Sequence, residues 1–380
     1  MHLRHVEGIR ALAALVVYVN HVYAQIWGPG RIPPRALSLF RYSLVAGHLS
    51  VAVFIVVSGF CLTLPVVKNG GELRGGTKAF LLRRARRILP PYYAAVALCL
   101  VLIWTIIGKP TGTLWDVPIR ANSFSIVAHV LLVQDFFATS HINYVFWSIA
   151  TEWQIYWLFP VLVWLWRRQG PAATVSMALL VGYALRLGFA DTRIVRSAPH
   201  FIGLFSLGML AAYLSRSATS RYAHLRDRMP WGLIALAGLF ADTAMCASWG
   251  WSQSVERFYI LDFATGLGAM ALLVYTSGPT KRRATEILAC KPLVFIGTFS
   301  YSVYLVHAPI IQVFWQYVLR PAHLTAVPMF FAFMGPCAIV MLALSYGFFR
   351  LVEEPFMRRK NETAARPDQV GARLVTQSPQ

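Results

Sequence analysis

Arg10 and His21 stand eleven positions apart in the stretch VEGIRALAALVVYVNHVYAQIW, residues 6–27. In a helix turning about 100° per residue, that spacing brings both to within roughly 20° of one face and sets them about 16 Å apart along the axis. A guanidinium near one end of an apolar run can hold a phosphate. An imidazole well inside it can take a proton from a hydroxyl near neutral pH. The plain alternative is an arginine snorkelling to the surface and a histidine hydrogen-bonded to a neighbouring helix. The pair alone does not choose between them.

Three further stretches carry chemistry-bearing residues in apolar surroundings. FLLRRARRILPPYY (80–93) concentrates Arg83, Arg84, Arg86 and Arg87, with Pro90 and Pro91 reading as the start of the next helix. Such a cluster is either a topology signal that also binds anionic lipid, or a polyphosphate site. WSIATEWQIYWLFP (147–160) places Ser148 and Glu152 on one helical face, the Glu among Trp147, Trp153, Trp157 and Phe159. The aromatic residues alone fit an interfacial belt, but a carboxylate among them needs a partner. GTFSYSVYLVHAPII (297–311) aligns Ser300, Tyr304 and His307 as one polar stripe, an additional candidate site or a satisfied packing group. Asp242 and Asp262 also fall inside apolar runs, where they could pair with Arg186 or with each other. The five cysteines have no paired spacing and read as packing residues, and no metal-ligand pattern is present.

The elements that must position these residues are membrane helices. The 380-residue chain is 57% hydrophobic and 13% charged, with a mean hydropathy of +0.56. Its apolar runs are continuous rather than alternating, so the expected class is an all-α polytopic membrane protein. Spans are expected near 9–27, 44–66, 90–108, 145–166, 172–189, 199–214, 231–249, 258–276, 293–317 and 326–349. The first run lacks a small-residue cleavage site and reads as a retained span rather than a signal peptide. The net charge of +20 comes from 35 Lys and Arg against 15 Asp and Glu. Most of these cations fall in alternate loops, which puts both termini in the cytoplasm by the positive-inside rule and removes nucleic acid as the reason for the charge. The stretch 124–138, with His129 and Asp135, is too short to span; it is expected to be a re-entrant or interfacial helix. Residues 360–380 are expected to form a disordered cytoplasmic tail after a membrane domain of residues 1–359.

Taken together and in order, these stretches resemble the acyltransferase-3 family of membrane O-acyltransferases, over roughly residues 5–357. Arg10 and His21 match its first-helix pair, Arg84 and Arg87 its Arg-x-x-Arg, and Ser148 and Glu152 its Ser-x-x-x-Glu with flanking Trp. EGIRALAALVV, FIVVSGFCLT (54–63), FSYSVYLVH (299–307) and VEEPF (352–356) match further family segments. Glu7 departs mildly, since the family often has Asp there. Many members also carry a C-terminal hydrolase-like domain that this sequence does not show, which implies either complete transfer by this chain or a separate acyl-handling partner.

The resemblance implies an acyl-CoA donor, with acetyl-CoA the expected form, and a hydroxyl acceptor on a sugar of a cell-surface or exported polysaccharide such as lipopolysaccharide or capsule. A macrolide or other small glycoside is the alternative acceptor. The location implied is multi-pass in the bacterial inner membrane. Arg84, Arg87 and Arg10 would hold the donor's phosphates. His21 would be the general base, or a nucleophile forming an acyl-histidine, with Glu152 orienting it and Ser148 bonded to the same site. A transporter, or a non-catalytic component of a polysaccharide pathway, is the competing class; the sequence lacks the internal repeats common in transporters.

Overall fold

The computed structural model describes residues 3–28, 43–190, 192–216, 220–278 and 282–358. The tail expected at 360–380 lies outside them. Among the described residues every regular element is helical, as apolar runs with no water to satisfy their backbone require.

Nine helices among the described residues are long and apolar enough to cross a membrane. The longest, α5 (Trp147–Gly188), breaks at Gly170 (φ 82°, ψ 172°) ahead of Pro171 and therefore counts as two, giving the ten expected spans. Unbroken, its 42 residues would stretch about 63 Å, twice the hydrocarbon thickness. The other long helices are α1 (Arg4–Trp27), α2 (Ser43–Lys68), α3 (Gly76–Thr105), α6 (Phe201–Arg216), α8 (Trp231–Glu256) and α9 (Phe258–Ser277). The short α4 (Ser123–Val130), α7 (Ser220–Arg228), α10 (Arg283–Leu288) and α11 (Lys291–Thr298) connect them. α12 (Ser300–Phe314) runs on through a wide turn at Trp315–Leu319. The last span joins α13 (Ala326–Ala332), α14 (Ala338–Phe348) and α15 (Glu354–Arg358) through wide turns at Phe333–Cys337 and Phe349–Glu353.

Two stretches depart from expectation, one at its start and one at its end. α3 begins at Gly76, so Pro90 and Pro91 lie inside it rather than opening it. Inside a helix each removes an N–H donor and crowds the carbonyl four residues earlier; Tyr301 donates to the nearby Ile88 carbonyl at 3.2 Å. The stretch 124–138 is helical only to Val130. Leu132, Ala138 and Ile142 then take positive φ, and the chain turns back among the helices as irregular backbone. Protein groups satisfy that backbone: Gln134 donates to Phe146 O (2.9 Å) and Tyr304 to Val145 O (2.9 Å). Irregular backbone survives at membrane depth only when covered in this way.

Burial against protein gains little over exposure to lipid, so these helices associate through close packing at small residues. α2 and α6 meet at Gly59 and Gly208, where an added Cβ would lie 2.1 Å from Phe205 O and 1.9 Å from Val56 O. The outer face of α8 remains open, with Leu236 62% and Phe240 74% exposed, as a lipid-facing surface requires. Leu3 and Glu7 near one end of the described chain line the same cavity as Glu354 and Met357 near the other. The two ends therefore share one face of the bundle, as an even number of spans demands.

Candidate active site

That cavity, about 830 Å³, opens among α1, α2, α3, α5, α12 and the last span. Arg10, Arg84 and Arg87 line it, together with Ser148, Glu152, Ser300 and Tyr304, so seven of the expected site residues share one space. α1 begins six residues before Arg10, which sits in its second turn with Glu7 at 3.4 Å. The Arg84 Nε is buried with no hydrogen-bond partner among the described residues. A buried N–H left in this state is costly unless a ligand answers it.

Glu152 has its own hydroxyl cage. Ser58 Oγ donates to its Oε1 at 2.6 Å, Tyr156 donates to the same oxygen, and the two hydroxyls lie 2.8 Å apart. The Ser148 and Tyr304 hydroxyls lie 2.6 Å apart, and both reach the Val145 carbonyl, Tyr304 at 2.9 Å and Ser148 at 3.4 Å. Ser148 and Tyr304 line the cavity, whereas His21 and His307 are outside its lining. The His307 ring packs 6.0 Å behind that of Tyr304.

His21 and His307 meet directly, Nδ1 to Nε2 at 2.8 Å, with their rings stacked at 5.0 Å. His307 Nδ1 lies 3.0 Å from the Val303 carbonyl, one turn earlier on α12. A carbonyl only accepts, so His307 Nδ1 carries the proton and its Nε2 is an acceptor. His21 Nδ1 must then donate, which leaves the lone pair of His21 on Nε2. Tyr144, from the irregular segment, covers His21 at 4.9 Å between ring centroids.

Several expectations change. The group that orients His21 is His307, whereas Glu152 bonds Ser58 and Tyr156. Ser148 bonds Tyr304, not His21. Ser300, at the base of the polar stripe, lines the cavity and donates to Gly297 O at 2.9 Å. Asp262 accepts from His48 (3.1 Å) and His200 (2.9 Å), and Asp242 from Thr265 (2.7 Å). Arg186 stacks instead on Tyr259 at 4.9 Å. Residues the sequence reading passed over are Ser58, Tyr144, Tyr156 and Glu353, which accepts from Ser302 at 2.6 Å. Tyr156 was available as the next helical step after Ser148 and Glu152; the others depend on which helices meet. All five cysteines are free, and among the described residues no group of three or more His, Cys, Asp or Glu is placed to hold a metal ion.

The molecule is thus a polytopic helical bundle with a basic cavity, and behind Tyr304 on its wall lies a histidine pair of buried His307 and half-buried His21. The chain belongs to the acyltransferase-3 family, whose acyltransferase-domain model matches residues 4–350. It is similar to the O-acetyltransferase OatA of Staphylococcus aureus (strain NCTC 8325 / PS 47), 24% identical over 337 residues, covering 82% of this chain and 51% of that protein. It is also similar to a putative O-acetyltransferase, SACOL0978, of Staphylococcus aureus (strain COL), 23% identical over 395 residues, covering 93% of this chain and 57% of the relative. The chain thus spans about half the length of the curated relatives it matches. No solved structure matches it.

Proposed function

We propose that this chain is an integral-membrane O-acyltransferase moving an acetyl group from acetyl-coenzyme A to a sugar hydroxyl of a cell-surface or exported polysaccharide. The observation that carries the proposal is the His21 tautomer, with its Nε2 lone pair left free by the His307–Val303 chain, close behind a cavity lined by Arg10, Arg84, Arg87 and Arg350. The O-acetyltransferase names of its relatives support the acetyl group. The arginine face is cytoplasmic in this reading, and the membrane is the bacterial cytoplasmic one.

Arg84, Arg87 and Arg10 hold the donor's phosphates, the unpartnered Arg84 Nε supplying one donor. The pantetheine arm runs inward past Glu152 to Ser148 and Tyr304. His21 Nε2 takes the proton of the acceptor hydroxyl as its oxygen attacks the thioester carbonyl. The tetrahedral intermediate collapses with cleavage of the C–S bond, and the imidazolium returns the proton to the coenzyme A thiolate. No net proton is gained or lost. The Tyr304 side chain stands between the cavity and the histidine pair, so the arm must displace it or pass its edge.

The test uses membranes containing the protein and acetyl-CoA labelled in its acetyl group. Transfer of label to glycan should fall about 100-fold or more in His21→Ala, the usual size of a general-base contribution, with expression unchanged. Arg84→Ala with Arg87→Ala should raise the apparent KM for acetyl-CoA about tenfold. A His21→Ala protein that acylates at the normal rate overturns the mechanism.

A further inference from the structure

Beyond the histidine pair, toward the end of the bundle away from the arginines, the same two helices set a second polar pair. Gln25, one turn after His21, donates Nε2 to Gln312 Oε1 at 2.7 Å. Gln312 Oε1 also accepts from Thr113 Oγ1 (3.2 Å), and its Nε2 donates to Thr111 Oγ1 (3.2 Å) and to Gln316 Oε1 (3.3 Å). The two threonines belong to the connection after α3, where Asp116 accepts from the backbone N–H groups of Thr111 (2.7 Å) and Gly112 (2.8 Å). Gln25 and Gln312 are buried, Thr111 and Thr113 half-buried, and Gly112 exposed. A file of amides and hydroxyls therefore leads from the histidines to the surface. Beside it, buried Trp115 sits edge-on to Tyr144 at 6.1 Å, and Tyr144 covers His21.

None of these residues lines the arginine cavity, so donor binding does not explain them. Two amides buried in an apolar bundle are held at a desolvation cost that a Leu–Leu pair would avoid. Amides and hydroxyls beside flat aromatic faces are the groups that recognise a polyhydroxylated ring.

We propose that Gln25, Gln312, Thr111 and Thr113 form the acceptor subsite and determine its preference for a sugar over an apolar alcohol. This rests on the transferase reading above. The ring hydroxyls replace the bonds these side chains make with one another, and Tyr144 and Trp115 flank the ring. Donor and acceptor thus enter from opposite ends and meet at His21.

The test uses the full chain in lipid nanodiscs with labelled acetyl-CoA and two acceptor probes, cellobiose and 1-octanol. In Gln312→Leu alone, the Gln25 amide loses its partner and stability suffers. In Gln25→Leu with Gln312→Leu the two buried amides go together, while Thr111 and Thr113 keep their mutual bond at 2.9 Å and Gln316 its bond to Ile106 O at 3.3 Å, which preserves the fold. The double variant should lower the cellobiose-to-octanol transfer ratio about tenfold or more, two buried hydrogen bonds being at stake, with the KM for acetyl-CoA within about twofold. A pair that is only structural gives a double variant with the wild-type ratio, and that result overturns the subsite. So does a wild-type protein that acetylates octanol but never cellobiose. Wild-type transfer to either alcohol upholds the transferase reading whatever the variant does; transfer to neither overturns that reading and the subsite with it.

Discussion

His21 owes its free Nε2 to a bond it does not make itself. The Val303 carbonyl holds the His307 proton on Nδ1, and the His307 Nε2 lone pair then claims the His21 Nδ1 proton. In this arrangement His307 is a positioning residue. His307→Leu removes the acceptor, lets His21 rotate and leaves its Nδ1–H unpaired. Transfer should fall about 10- to 100-fold, the range seen when a histidine's orienting partner is lost, with the KM for acetyl-CoA unchanged. His307→Gln, which keeps an acceptor oxygen, should recover part of that loss. Equal kinetics in the two variants would show that orientation is not what His307 supplies. Glu152 works through a different set of contacts, its oxygen held by Ser58 and Tyr156, and it lines the arginine cavity, which His21 does not.

At the scale of elements, two packing features hold these residues in place. The α2–α6 crossing brings Gly208 against the Val56 carbonyl, and Gly59 of the same crossing follows Ser58 directly. Gly208→Ala should therefore separate the helices and cost about 1–3 kcal/mol of stability, measurable as a lowered unfolding temperature in detergent. Ser58 moves with α2, so transfer should drop as well. The irregular segment 131–146 supplies Tyr144 and is anchored by Gln154, whose Nε2 donates to both oxygens of Asp135 at 3.1 and 2.9 Å. Burial pushes the Asp135 pKa up from 3.8 to about 6. The folded segment therefore holds this proton more tightly than the unfolded chain does. The resulting stabilisation is complete below about pH 4 and is lost as pH rises through about 6. Hydrogen exchange of residues 131–146 should accordingly speed up between about pH 4 and 6 beyond its intrinsic base catalysis, and Asp135→Asn should abolish the excess. An excess that persists in the Asn variant would place its origin elsewhere.

At the scale of the molecule, the first and last spans frame one cavity. The chain's two described ends lie on one face, and the cations that face the cavity are on it too. With the arginine side cytoplasmic, a cytosolic reporter fused before residue 4 or after residue 358 should be active in both positions. A reporter at Lys109, in the exposed connection after α3, should behave as external. Activity on opposite sides for the two ends would break the ten-span topology.

The helical class, the number of spans and the basic cluster followed from the sequence, because apolar length and charge asymmetry are local properties that the bilayer reads directly. The sequence also grouped Arg10, Arg84, Arg87, Ser148 and Glu152 through matched segments rather than through geometry, and these five line one cavity. Partner choice did not follow. Whether His21 meets Glu152 or His307 depends on the rotation and depth of α1, α5 and α12 relative to one another, and helices in lipid set these by close contact of glycines and backbone. The same holds for Asp262, which found two histidines rather than Arg186, and for the stretch after Val130, whose irregular path is stable only because Gln134, Tyr304 and their neighbours cover its backbone. Periodicity places a side chain on a face; only the packed bundle decides what that face touches.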